Sequence, residues 1–145
     1  MIRDMMKEDK EIFMAMAKDF YSSNAVEHNI DINIIEATFE AAVSNSPFMR
    51  ALMIEDDNAP VGFGLLSFYH ATEVGGLAVL LEDLYINEAC RGKGLGREFM
   101  CFMEREYPSA KRFSLEVAKE NTRAIELYKS LGYEILDYVQ MVKNI

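Results

Sequence analysis

The sequence predicts a single mixed α/β domain over residues 1–145, and three observations carry that expectation. Apolar residues recur every three or four positions before residue 47 and again after 95, whereas between them stand strand-like runs rich in apolar and aromatic residues, so helices and strands are interspersed. A glycine-rich turn, RGKGLG at 91–96, stands between a strand-like run and a helical segment. Strand, helix and strand then follow one another, which makes 77–86 and 113–117 parallel neighbours joined by a right-handed helical crossover. A chain of 145 residues buries one core rather than two independent ones.

Residues 2–5 read as a short first strand. Ile12, Phe13, Met16 and Phe20 then share one helical face, and His28 lies in the polar link that follows. Asp31 can cap a second helix by accepting a free backbone N–H, with Ile34, Ile35, Thr38, Phe39 and Ala42 as its buried stripe. After the Asn45-Ser46-Pro47 break, 49–54 and 61–68 read as strands, with Asp56-Asp57-Asn58-Ala59-Pro60 as the hairpin turn between them. Gly75-Gly76 turns the chain into a third long strand, 77–86. The helix after the glycine turn presents Leu95, Phe99, Phe102 and Met103, and Pro108 stops it. Phe113, Leu115 and Val117 alternate as a strand should. Asn121 caps a last helix bearing Ala124, Leu127, Tyr128 and Leu131, Gly132 closes it, and 133–142 is extended. The predicted order is β-α-α-β-β-β-α-β-α-β.

Composition narrows the function. Half the residues are hydrophobic and 27% are charged, as in a compact globular protein. A net charge of −9 argues against nucleic-acid binding and suits a cationic small substrate. The N-terminus, MIRDMMKEDKE, has no signal-peptide core, and the longest apolar run, LAVLL at 77–81, is too short to span a bilayer, so no membrane association and a cytoplasmic location are expected. Cys90 and Cys101 are read as reduced. With His28 and His70 far from them in sequence, no metal-ligand pattern appears. The ten methionines read mostly as core filler.

The glycine turn sets three cations, Arg91, Lys93 and Arg97, against the sign of the whole chain. A helix that opens directly after a strand aims unpaired N–H groups and a partial positive charge forward, which makes an anion site. Gly92, Gly94 and Gly96 let a ligand approach the backbone, and a diphosphate is the expected anion. A Walker A loop would need a lysine followed by Ser or Thr, and none occurs. The dinucleotide fingerprint would need glycine five positions after Gly92, where Arg97 stands.

The pattern that fits is [RQ]-x-x-G-x-[GA], met by Arg91, Gly94 and Gly96. With LEDLYI before the loop and NTRAIELYKSLGYE at 121–134 after it, the chain resembles the GCN5-related N-acetyltransferase family. The likeness covers 77–142, and element order extends it to the whole chain. It implies a mostly antiparallel sheet with one splayed parallel pair and flanking helices. It also implies transfer of acetyl from acetyl-coenzyme A to a primary amine of a small molecule or peptide, by direct attack in a ternary complex and without a metal. A catalytically degenerate member that only senses or scaffolds acyl-coenzyme A is the alternative. Family members are often dimers, which leaves a homodimer open.

The resemblance also implies a site. Open backbone groups at Leu84, Tyr85 and Ile86 would hold the pantetheine arm as an added strand and polarise the thioester carbonyl. The diphosphate would fall on Arg91, Gly92, Lys93, Gly94, Leu95, Gly96 and Arg97. Exposing a neutral alkylamine at pH 7 costs about 4–5 kcal/mol, so a base or water chain is needed. Strand alternation sets Glu82, Leu84 and Ile86 on one face and Asp83 and Tyr85 on the other, and likeness to polyamine-acetylating members points to Glu82 as the base. Otherwise Glu82 only hydrogen-bonds a neighbouring element. Tyr128 matches the family's acid for the leaving thiolate, unless it is simply a core aromatic. Asn121 contacts coenzyme A or only caps its helix. The acceptor pocket is expected from the first two helices, with Phe20, Tyr21 and His28, and from the turn near His70.

Overall fold

The computed structural model describes residues 1–23 and 30–145. Five strands form one sheet in the order β1-β2-β3-β4-β5: β1 (Ile2–Asp4), β2 (Met49–Asp56), β3 (Ala59–Ala71), β4 (Gly76–Ile86) and β5 (Arg112–Leu115). All neighbours are antiparallel except β4 and β5, which run parallel. Helices α1 (Lys10–Tyr21) and α2 (Ile32–Ala42) cover one face, and α3 (Leu95–Glu106) and α4 (Thr122–Ser130) cover the other.

Strand alternation feeds both layers. Ala51 and Met53 of β2 join Phe13, Phe20, Ile35, Phe39 and Phe63 under α1 and α2, whereas Leu52 and Ile54 join Phe99, Met100 and Met103 under α3. The α1 side is aromatic, with Phe63 edge-on to Phe13 at 5.0 Å and stacked on Tyr85 at 5.6 Å. On the other face a Cβ at Gly64 would lie 2.1 Å from the Phe99 ring, so glycine there lets α3 sit close to the sheet. Arg3 anchors β1 by donating to Asp9 at 2.8 Å and to Glu55 at 2.7 Å, which satisfies two otherwise buried carboxylates.

Several local expectations change. Ile12 and Ile34 are 39% and 56% exposed, so each stands outside the stripe that helical spacing gave it. The hairpin turn tightens to Asp57-Asn58, whose φ values of 50° and 62° follow the sheet's twist better than a longer loop would. Val117 lies beyond the end of β5. Residues 133–142 are not in a strand: Ile135, Leu136, Tyr138, Val139, Met141 and Val142 are 60% to 93% exposed.

The largest correction concerns β4. Leu65 pairs with Asp83 while Leu66 pairs with Leu81, so Glu82 is a bulged residue with no partner on β3. Before the bulge Val79 and Leu81 face α3; after it Leu84 and Ile86 do. The face predicted to hold Glu82 with Leu84 and Ile86 is therefore broken at Glu82 itself.

Candidate active site

β5 accompanies β4 only through the pair Leu81 and Leu115. Beyond that point the strands part, and the β4 edge from Glu82 to Ile86 faces a cleft of about 1720 Å³ that reaches α1, α2, α3 and α4. That volume exceeds the roughly 300–1,000 Å³ of a site for one drug-sized ligand, so there is room for a long cofactor and an acceptor together. Leu84, Tyr85 and Ile86 line it, as the splay requires.

The loop after β4 ends at Gly94, which N-caps α3 with φ of 85° and no side-chain cap. The first helical bond is Glu98 N–H to the Gly94 carbonyl at 2.9 Å, so the amides of Leu95, Gly96 and Arg97 precede the helical ladder and remain open for an anion. Arg91 donates its Nε to the Ile86 carbonyl at 2.8 Å and lies over the Tyr85 ring at 6.0 Å, which folds the loop back onto β4. Arg97 reaches Ser130 Oγ of α4 at 2.7 Å. Arg91, Gly92, Gly94, Leu95, Gly96 and Arg97 all line the cleft. Lys93 does not: its Nζ bonds Asp56 at 2.8 Å in the hairpin behind the loop, a partner that local spacing could not reveal.

Across the loop, α4 contributes Asn121, Leu127 and Tyr128 to the cleft wall. Asn121 accepts from the Ala124 N–H at 3.3 Å, so its oxygen caps the helix while the residue also borders the cleft. Tyr128 packs beside Tyr133 at 6.1 Å, and burial pushes its phenol above the ordinary value, keeping it protonated at neutral pH. Among the described residues nothing hydrogen-bonds its hydroxyl. The residue is thus at once a packed aromatic and an available acid.

The end of the cleft where an acceptor pocket was expected draws on distant segments. Tyr21 of α1 donates its phenol to Asp83 of β4, Phe20 packs against Tyr21 at 5.0 Å, and Ile34, Thr38 and Ser67 line the same cleft. Burial pushes the Asp83 carboxyl up to about 6, against the lowering effect of the Tyr21 bond. Burial, with the charges of Asp83 and Glu82 behind it, raises Tyr21 above its ordinary value. Because Leu81 and Leu84 both face α3, the bulge leaves Glu82 and Asp83 both lining the cleft, Glu82 exposed and Asp83 partly buried. Sequence reasoning missed Asp83 as a member of this site, since a one-residue bulge gives no periodic signal. Ile34, expected in the buried stripe of α2, lines the cleft instead. His70 pairs with Leu77 at the far end of the sheet and does not line the cleft. His28 lies outside the described residues.

The donor set fits an acyl-coenzyme A: an open strand edge for a polyamide arm and open amides with guanidinium groups for phosphates. Comparison with known proteins gives the same result. The chain is 29% identical over 145 residues to the thialysine N-epsilon-acetyltransferase of Mus musculus, covering 93% of this chain and 84% of that one. It is 28% identical over 112 residues to the peptidyl-lysine N-acetyltransferase YjaB of Salmonella typhimurium, covering 74% and 67%. In fold it matches the aminoglycoside N-acetyltransferase AAC(6')-Iy, solved with a coenzyme A bisubstrate analogue, at a TM-score of 0.81 and 17% identity over 100% of this chain and 97% of that one. A possible acetyltransferase from Clostridium difficile 630 matches at a TM-score of 0.83 and 15% identity, over 100% and 97%. The sequence model of the acetyltransferase (GNAT) family matches residues 10–133, and the chain belongs to that family, as an acetyl-coenzyme A-dependent N-acetyltransferase.

Proposed function

We propose that this protein acetylates the primary amine of a small molecule or peptide by direct attack in a ternary complex. Bound acetyl-coenzyme A supplies the activated acetyl thioester. Leu84, Tyr85 and Ile86 hold the arm along the β4 edge, and the loop amides with Arg91 and Arg97 hold the phosphates. Glu82 takes the proton of the incoming amine, directly or through water, and the Tyr128 phenol returns a proton to the leaving sulfur. Phe20, Tyr21, Ile34 and Asp83 wall the acceptor, and the paired carboxylates favour a cationic one. Relatives named for thialysine and peptidyl-lysine substrates are in keeping with an amine of that kind.

The observation that carries this reading is one cleft joining the open α3 amides, the splayed β4 edge, Glu82 and Tyr128. The test is acetyl-coenzyme A turnover against a panel of amines, read as free thiol. Tyr128→Phe should keep the fold and coenzyme A affinity but lower turnover about ten- to a thousandfold. Tight coenzyme A binding with no turnover on any amine would favour the sensor reading instead.

We also place the protein in the cytoplasm; among the described residues no helix is long and apolar enough to cross a membrane. A homodimer is supported by the exposed apolar stretch 135–142 beside a sheet whose β5 edge has no neighbouring strand among the described residues. Light scattering should give twice the chain mass, and Val139→Asp with Met141→Asp should return the monomer; a monomeric wild type would end that proposal.

A further inference from the structure

We propose that Asp19, an exposed residue of α1 outside the cleft, is a positioning residue for the acetyl transfer: through the Tyr85 phenol it fixes the last turn of α1, and with it the acceptor wall, against the open β4 edge. The inference rests on the site proposed above and adds a residue that touches neither substrate. Two tyrosine–carboxylate bonds join the same two segments in opposite senses. Tyr21 of α1 donates to Asp83 of β4, and Tyr85 of β4 donates to Asp19 of α1 at 2.5 Å, with the Asn87 side-chain amide 2.9 Å from the same hydroxyl. Asp83 and Tyr85 flank Leu84 on the open edge, and Phe20 and Tyr21 line the cleft whereas Asp19 does not.

Packing does not account for the Tyr85 hydroxyl. The residue is 5% exposed, its ring stacked on Phe63 at 5.6 Å and edge-on to Phe20 at 6.1 Å, and a phenylalanine would make the same contacts. What the hydroxyl adds is direction. Residues two apart in a strand share a face, so Asp83 and Tyr85 both reach α1; residues two apart in a helix do not, so Asp19 and Tyr21 stand on either side of Phe20. One bond would let the end of α1 turn about its axis, whereas two bonds that straddle Phe20, with one donor on each element, oppose both rotation and sliding along β4. Burial pushes the Tyr85 phenol up to about 12, so it keeps the proton that it donates. Direct attack needs the amine roughly 3–3.5 Å from the thioester carbon, and a shift of about 1 Å can cost about a hundredfold in rate. The acceptor wall and the thioester edge are therefore held together by the pair of bonds, of which only the Asp19 carboxylate lies outside the cleft.

The experiment is a double-mutant cycle on Asp19→Ala and Tyr85→Phe, with Asp19→Asn as the conservative variant. For each protein, kcat/KM for the best amine of the panel is measured at saturating acetyl-coenzyme A, with coenzyme A affinity by calorimetry and Tm alongside. Asp19→Ala and Tyr85→Phe should each lower kcat/KM about ten- to a hundredfold while coenzyme A affinity and Tm stay near wild type. Asp19→Asn should recover most of the loss, because its amide oxygen still accepts the phenol proton. The double variant should be no slower than the slower single one, since both remove the same bond. A wild-type kcat/KM in Asp19→Ala, losses that multiply in the double variant, or a fall in Tm or coenzyme A affinity that matches the loss in rate overturns the positioning role. A loss that Asp19→Asn shares in full overturns it too, by assigning the effect to the charge of Asp19. A wild type that turns over no amine would overturn the reading beneath it, and this role with it.

Discussion

The end of the cleft proposed for coenzyme A comes chiefly from one continuous stretch, 84–97, faced by α4, whereas the end proposed for the acceptor takes Tyr21 from α1, Ile34 from α2, Ser67 from β3 and Asp83 from β4. The first end works through backbone: open amides at a helix start and an unpaired strand edge. The second works through side chains that meet only because the sheet and two helices pack together. A site made of backbone depends on conformation and tolerates little at its glycines. A site made of distant side chains depends on packing and can change its ligand residue by residue.

Gly94→Val should show the largest effect, since it attacks the backbone end directly. Nothing lies within 4 Å of a Cβ at Gly94, so no clash inside the protein arises, but a β-branched residue is strained at φ of 85°. The loop must move, the α3 amides lose their aim and the new side chain enters the phosphate path. Coenzyme A should no longer raise the melting temperature. A variant that still shows the wild-type shift would mean that phosphate binds elsewhere.

Glu82→Gln probes the junction of the two ends and should show a smaller, pH-dependent loss. Glutamine keeps the size but cannot take a proton, so the deficit in rate should be greatest near pH 7 and shrink as the free amine becomes abundant toward pH ~10. A deficit constant over that range would assign Glu82 to positioning. The bulge means that Asp83→Asn is not an opposite-face control, because both carboxylates line the acceptor side.

Asp83→Asn should instead act mildly on stability. A carboxyl whose folded value is raised contributes stability that is fully present below its ordinary value of 3.8 and is lost as pH rises through about 6. The variant lacks this titration. Its Tm relative to wild type should therefore climb between about pH 4 and about pH 6 and level off above, as followed by thermal melts. A Tm difference that is flat with pH would show Asp83 to be well solvated.

Much of the architecture follows from local chemistry. Asn121 caps α4, Gly132 follows it with φ of 91°, and Gly94 opens α3, each because a helix end leaves backbone groups that specific residues satisfy. The apolar and aromatic runs at 49–54, 61–68 and 77–86 lie within β2, β3 and β4. Of the expected site residues, Leu84, Tyr85, Ile86, the glycine loop apart from Lys93, Asn121 and Tyr128 meet in one cleft, and Phe20 and Tyr21 join it from α1. Periodicity misled where pairing overruled it. Ile34 has helical spacing but faces the cleft, and 133–142 has strand character but no strand beside it.

Sequence alone determined the glycine turn that opens α3, since three glycines, a strand end and a helix start are neighbours along the chain and their conformations are local. Only the tertiary structure decided which carboxylates share the cleft and which cations line it. The bulge at Glu82 is set by how β4 registers against β3, which brings Asp83 beside Tyr21, 62 positions away along the chain. Lys93 is withdrawn by Asp56, while Arg91 and Arg97 line the cleft. Such pairings depend on distances between elements far apart in the chain, and those distances exist only once the core has packed.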